Sequence, residues 1–203
     1  MNHLRVTLCL SVTALLVLVM PVHAGAPPDA PRALVTDASS RIVELAKRIE
    51  TQSALNQAVT EVLSEIVDFP AFSARTLKGH WGGLTEPQRV RFNKAFRALI
   101  LSVYTKRFKP GMDFSVTFRG ATEKVDASHA TVRTTLHGPK VGVDVDYEMH
   151  AVKVAGSLSW RVIDLTIDEV SMVRNWRRSF VSIMERDGYE VLVTKIEKRA
   201  RRP

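Results

Sequence analysis

Apolar residues recur at two different periods along the chain, and the change between them divides it. From Leu34 to about Ile66 the spacing is helical. Ile42, Leu45 and Ile49 predict one helix, and Leu55, Val59 and Leu63 a second. Phe69, Phe72 and Leu77 predict a short third helix, which Gly79 ends. A longer helix follows in LTEPQRVRFNKAFRALILSVYTKRF. Thr85 and Gln88 stand at capping-box spacing, Pro87 occupies the first turn, and Lys109-Pro110-Gly111 stops the helix. Phe92, Phe96, Leu99 and Val103 line one face, which Ala95, Ile100, Tyr104 and Phe108 widen.

Beyond Gly111 the period becomes two. Phe114, Val116 and Phe118 form one alternating run, and Ala130, Val132, Thr134 and Leu136 a second. Val141, Val143, Val145, Tyr147, Met149 and Ala151 alternate with Gly142, Asp144, Asp146, Glu148 and His150, the cleanest strand signal in the chain. In a fourth run Trp160 and Val162 hold one phase, while Ile163, Leu165 and Ile167 hold the other. This predicts either a bulge or a strand covered on both faces. The short links HGPK and VAGS predict consecutive antiparallel pairing. Helical spacing returns with Val173, Trp176, Phe180, Ile183 and Met184. The expected fold class is α+β: N-terminal helices, a four-stranded antiparallel meander, then C-terminal helices, with the helices packed on one sheet face. The basic C-terminus KIEKRARRP is expected to fray.

The first residues read differently. Val6 to Met20 is an unbroken apolar run after a single positive charge, Pro21 ends it, and Val22-His23-Ala24 has the small-x-small cleavage pattern. This is the pattern of a secretory signal peptide cut after Ala24. The run is short for a membrane span of about 20 residues. Cys9, the one cysteine, lies inside it, so the mature domain of residues 25–203 relies on its core instead of disulfides. GAPPDAP, Gly25 to Pro31, reads as a flexible leader. Losing Arg5 leaves 28 Lys+Arg against 21 Asp+Glu, a net charge of +7. That favours an anionic partner. For an exported protein, lipid headgroups, membrane surfaces or acidic protein patches fit better than nucleic acid.

Catalytic and metal chemistry find little support. His80, His129, His137 and His150 show no metal-ligand spacing, and GxSxG, P-loop and GxGxxG motifs are absent. Asp144, Asp146, Glu148 and His150 share a strand face that reads as the solvated side of a half-buried sheet. Asp164 and Asp168 read as partners of nearby arginines, and Asp168 also as a cap for the helix that follows. Arg174, Arg177 and Arg178 stand beside the apolar stripe of that last helix. Like charges at i,i+4 cost a few tenths of a kcal/mol. They read as a solvated face neutralised by Glu185 and Asp187, or as a site for a phosphate or an acidic surface.

Two blocks carry a family resemblance. In VSMVRNWRRSF, followed by DGYEVLVTKI, residues Val170, Ser171, Val173, Asn175, Arg177 and Phe180 match the closing signature of the MlaC-like, or toluene-tolerance, proteins. Met172 and Trp176 are conservative departures, and Glu169 stands where glycine is common. In VDFPAFSARTLKGHW and the helix after it, Asp68, Phe69, Leu77, Trp81, Gln88, Arg89, Phe92, Phe96, Leu99 and Tyr104 match a second block. The resemblance covers almost the whole mature chain. It implies a periplasmic phospholipid carrier serving a lipid ABC transport system, with a deep apolar cavity between sheet and helices. A hopanoid-associated branch of the family is one alternative. An exported adaptor with a filled core and an exported hydrolase are rivals from other classes. The implied cargo is a diacyl phospholipid, with no cofactor. The implied partners are an inner-membrane ABC transporter complex with its substrate-binding subunit and an outer-membrane lipoprotein complex. The residues assigned to the lipid are Phe92, Phe96, Leu99, Val103, Tyr104, Val116, Phe118, Val132, Val143, Val145, Tyr147, Met149, Trp160, Val173, Trp176 and Phe180. Arg174, Arg177 and Arg178 are assigned to headgroup binding or docking.

Overall fold

The computed structural model describes residues 29–124, 126–138, 142–154 and 156–202. Residues 1–24, expected to form a signal peptide, and Val141 lie outside the described residues. Helix α1 (Ala30–Arg48) begins inside the expected leader, with Pro31 in its first turn, where a missing N–H costs nothing. Helices α2 (Gln52–Ile66) and α3 (Phe69–Thr76) start on side-chain caps, Thr51 accepting from Ala54 N and Asp68 from Ala71 N. Helix α4 (Glu86–Tyr104) carries the full capping box of Thr85 and Gln88. It ends at Tyr104, and a 3-10 turn, Thr105–Arg107, completes the segment.

The sheet is antiparallel, in the order β1 (Ser115–Phe118), β3 (His129–His137), β4 (Gly142–Val154), β5 (Ser157–Ile167). The expected strands are present as β1, β3, β4 and β5, but the described residues form a sheet of six strands and not the four-stranded one expected. Two short ones extend them: β2 (Glu123–Lys124) continues β1 along the same edge of β3, and β6 (Val170–Ser171) pairs with the end of β5. The phase change in the fourth run is a bulge. Glu148 pairs with Asp164 and Met149 with Val162, leaving Ile163 as the extra residue. The bulge returns Leu165 and Ile167 to the face that carries Tyr147 and Val145.

Strands β5 and β6 join through Asp168-Glu169, both at positive φ (44° and 67°), as a tight two-residue hairpin requires. Asp168 therefore does not cap the last helix. Its carboxylate accepts from Asp144 N at 3.1 Å, and Ser171 is the cap. Asp164 does not pair with an arginine either. It is buried and accepts from Ser171 Oγ (2.6 Å) and Val173 N (2.9 Å), tying the bulge to the helix start. Glu169 is exposed and carries the left-handed strain that glycine would not. Glu169→Gly is expected to raise stability by up to about 1 kcal/mol once the entropy cost of glycine is deducted, measured by urea unfolding.

Helix α5 (Met172–Ala200) breaks at Gly188 (φ 80°, ψ 175°), so two helical segments fold back on the rest of the chain. The basic tail expected to fray is helical through Ala200, because Leu192, Val193 and Ile196 pack into the core. Three apolar clusters result. An aromatic one joins α3, α4 and α5, a second joins α1 and α2, and a third lies between α1 and the sheet.

Candidate functional site

The three clusters do not meet in a solid. Between them lies a cavity of about 370 Å³, within the roughly 300–1,000 Å³ usual for ligand pockets. Val35, Ala38 and Ile42 of α1 form one wall, with Leu63, Ile66 and Val67 of α2 and the link after it. Val143, Val145 and Tyr147 of β4, with Leu165 and Ile167 of β5, form the opposite wall. Phe69, Phe72, Ile100 and Met172 close the inner end, and Phe108, Met112, Phe114, Leu136 and Gly138 surround the outer one. Among the described lining residues one is charged, the exposed Arg107.

The accessibility of β4 follows from this hollow. Tyr147 keeps accessible surface in the middle of a central strand, yet burial pushes its hydroxyl pKa up to about 12. A side chain that is far from bulk water yet uncovered faces a cavity. Tyr104 stands at the same wall. Its hydroxyl donates to Met172 Sδ at 3.0 Å, and the Arg107 guanidinium lies 5.4 Å from its ring. Burial raises the Tyr104 pKa, and the Arg107 charge partly offsets that rise.

Of the residues assigned from sequence, Tyr104, Val143, Val145 and Tyr147 line the cavity. Phe92, Phe96, Leu99, Val173, Trp176 and Phe180 lie within the aromatic cluster, with Val103 against its edge. Phe96 sits 5.5 Å from the rings of Phe72 and Phe180 and 5.8 Å from that of Phe92. Val132, Met149 and Trp160 are buried beneath Val35 of α1, with Phe118 beside them. Val116 and Phe118 border a shallow groove along α1, where the Arg32 guanidinium covers the Phe118 ring at 4.0 Å. The α1 and α2 wall and Arg107 escaped the sequence reading. Their apolar stripes were legible, but nothing local says which stripe faces a filled core and which a hollow one.

The three arginines lie elsewhere and none lines the cavity. Arg177 is half-buried and donates Nε to the carbonyl of Arg75 at 3.0 Å, with Nη2 on the same oxygen. That carbonyl belongs to the last turn of α3, so Arg177 caps a helix C-terminus. Arg174 and Arg178 are exposed. Glu185 and Asp187 do not neutralise them. Glu185 stands 3.5 Å from His80, and Asp187 is held by Arg186 and Lys195 at 2.8 and 3.0 Å, which keeps its carboxyl well below the usual range.

The acidic strand face is a paired surface. Asp144 and Asp146 engage Arg119, Glu148 engages Arg75 at 2.7 Å, and His150 Nε2 lies 2.8 Å from Asp68 Oδ2. Among the described residues no group of three His, Asp or Glu is placed to hold a metal. Among the described residues one Ser, His, Asp cluster stands out, where the loop enters β3. Asp126 and Ser128 both approach Nδ1 of His129, at 3.1 and 3.0 Å. A relay needs base and nucleophile on opposite ring nitrogens, so this is a loop contact and not a triad.

Helices pack against an antiparallel sheet, an apolar hollow lies between the layers, and among the described lining residues Arg107 is the one cation. A family model described as MlaC protein matches residues 33–198, and the chain belongs to the MlaC family. The phospholipid-binding protein from Ralstonia solanacearum, solved in complex with a phospholipid, has the same fold. The TM-score is 0.72 at 19% identity, over 83% of this chain and 95% of that one. No curated protein matches the chain.

Proposed function

We propose that the chain is a periplasmic phospholipid carrier of an Mla-type system, exported by a signal peptide cut after Ala24 and working as one domain, residues 25–203, without cofactor or catalysis. The hollow carries this reading. It measures about 370 Å³ and its lining is almost wholly apolar. Water fills an apolar hollow poorly, for want of hydrogen-bond partners, whereas an acyl chain gains about 0.8 kcal/mol per buried methylene. Family membership and the phospholipid held by the R. solanacearum protein support a lipid as the occupant. Arg107 suits the phosphate of its headgroup.

Two acyl chains with about thirty methylenes would gain some 24 kcal/mol over water, more than any measured affinity. The lipid's competing state is a bilayer, so net transfer lies near zero while release into water is very slow. Loading and unloading then require docking, to an inner-membrane ABC transporter complex and an outer-membrane lipoprotein complex. Among the described residues no helix is long and apolar enough to cross a membrane.

Native mass spectrometry and organic extraction of protein purified from its own host test the reading. About one diacyl phospholipid per chain is expected, with less bound phosphorus in Arg107→Glu. Preparations that are consistently lipid-free yet fully stable would sink it and favour the filled-core adaptor.

A further inference from the structure

The outer end of the cavity is closed by a segment without regular structure. Residues 108–114 cross from the 3-10 turn after α4 to the start of β1. The segment alternates. Phe108, Met112 and Phe114 line the cavity, while Lys109, Gly111 and Asp113 are exposed. The Phe108 and Phe114 rings lie 5.8 Å apart. Arg107 stands at the base of this strap.

The strap is weakly tied to itself. Its own backbone bonds are two short turns, from Phe108 N to the Thr105 carbonyl and from Met112 N to the Lys109 carbonyl. Its other polar ties among the described residues reach across to the corner between α1 and α2. Gly111 N donates to the Ala46 carbonyl at 2.8 Å. That carbonyl is one of the last four of α1, which lack a partner inside the helix. Gly111 reaches it at φ 72°, a conformation that glycine adopts freely. Gln52 Nε2, shared with Asn56, donates to the Phe108 carbonyl at 2.9 Å. Lys47 Nζ lies 3.5 Å from Asp113 Oδ1. Water replaces such bonds when they break, so each resists opening only modestly. The inner end of the cavity differs. Phe69, Phe72, Ile100 and Met172 close it as members of the buried aromatic cluster, so opening there would break the core.

We propose that residues 108–114 are a gate, latched to the α1–α2 corner, and that lipid enters and leaves the cavity beneath it when the latch lets go. The proposal rests on the lipid-carrier reading of the cavity. Segments that open for ligands come from the least stabilised parts of a fold, and this one combines irregular backbone, few internal bonds and a lining role. Its position also places Arg107 at the threshold, where a phosphate is held while the acyl chains pass.

The one cysteine of the chain, Cys9, lies outside the expected mature domain, so the pair introduced by Lys47→Cys/Asp113→Cys can be joined selectively with a short bismaleimide. Protein loaded with chain-deuterated phosphatidylethanolamine is mixed with vesicles of the unlabelled lipid, and exchange is followed by native mass spectrometry. Joining the pair after loading is expected to slow exchange by about tenfold or more, relative to the same protein capped with N-ethylmaleimide. Gln52→Ala, which removes one tie, should exchange several-fold faster than the parent. Equal exchange in joined and capped proteins would overturn the gate and leave lipid binding standing, whereas protein that takes up no lipid would sink the carrier reading. Hydrogen exchange of the lipid-free chain decides the gate in that case too. The Gly111 amide should exchange far faster than the amides of Phe96 and Leu99, and faster still in Gln52→Ala. A Gly111 amide as protected as those of α4 would mean that the strap opens only when the whole domain unfolds, and would overturn the proposal.

Discussion

Phe96→Ala is expected to cost about 3–5 kcal/mol of stability, read as a lower urea midpoint at unchanged slope. Phe96 is fully buried and touches Phe72, Phe92, Phe180 and Trp176, three of them edge to face. Truncation removes the transfer energy of the ring, the aromatic pairings at about 0.5–1.5 kcal/mol each, and leaves a void that four rings cannot collapse into. Lipid content of the protein that still folds should change little, because Phe96 stands behind the cavity wall. A loss under about 1 kcal/mol accompanied by lower lipid content would move Phe96 from the core to the cavity wall.

Val143→Trp is expected to do the reverse. Val143 lines the cavity on β4, so a tryptophan there occupies acyl space. Bound phospholipid should fall several-fold, while unfolding of the delipidated variant should stay within about 1 kcal/mol of the delipidated parent, since overpacking costs of 1–3 kcal/mol arise only where a core is filled. Both proteins must be compared without lipid, because a ligand bound only by the native state adds its own stability. A variant destabilised by more than that with undiminished lipid content would show that the space beside Val143 is filled by protein. Together the two substitutions separate core from container, a distinction that composition leaves open.

Elements were legible where local physics decides them. The capping box at Thr85 and Gln88, the strand alternation from Val143 to Ala151 and the phase slip between Val162 and Ile163 each follow from hydrogen-bond or pleat geometry within a few residues. The glycine preference at Glu169 was visible only through the family resemblance, and its physical reason, one half of a two-residue hairpin at positive φ, lies in the structure.

Three features depended on residues distant in sequence. Arg177 reads as a free charge until α3 brings the Arg75 carbonyl to it across 102 positions. Asp164 reads as an arginine partner until the bulge buries it against Ser171 and the Val173 amide. Phe96 and Tyr147 are alike as large apolar residues on amphipathic faces, yet one is packed among rings and the other faces the cavity. Periodicity tells a side chain which way to point. What it meets there, a ring, a carbonyl or a hollow, is set by how the layers are spaced, and that spacing exists only once helices and sheet have packed.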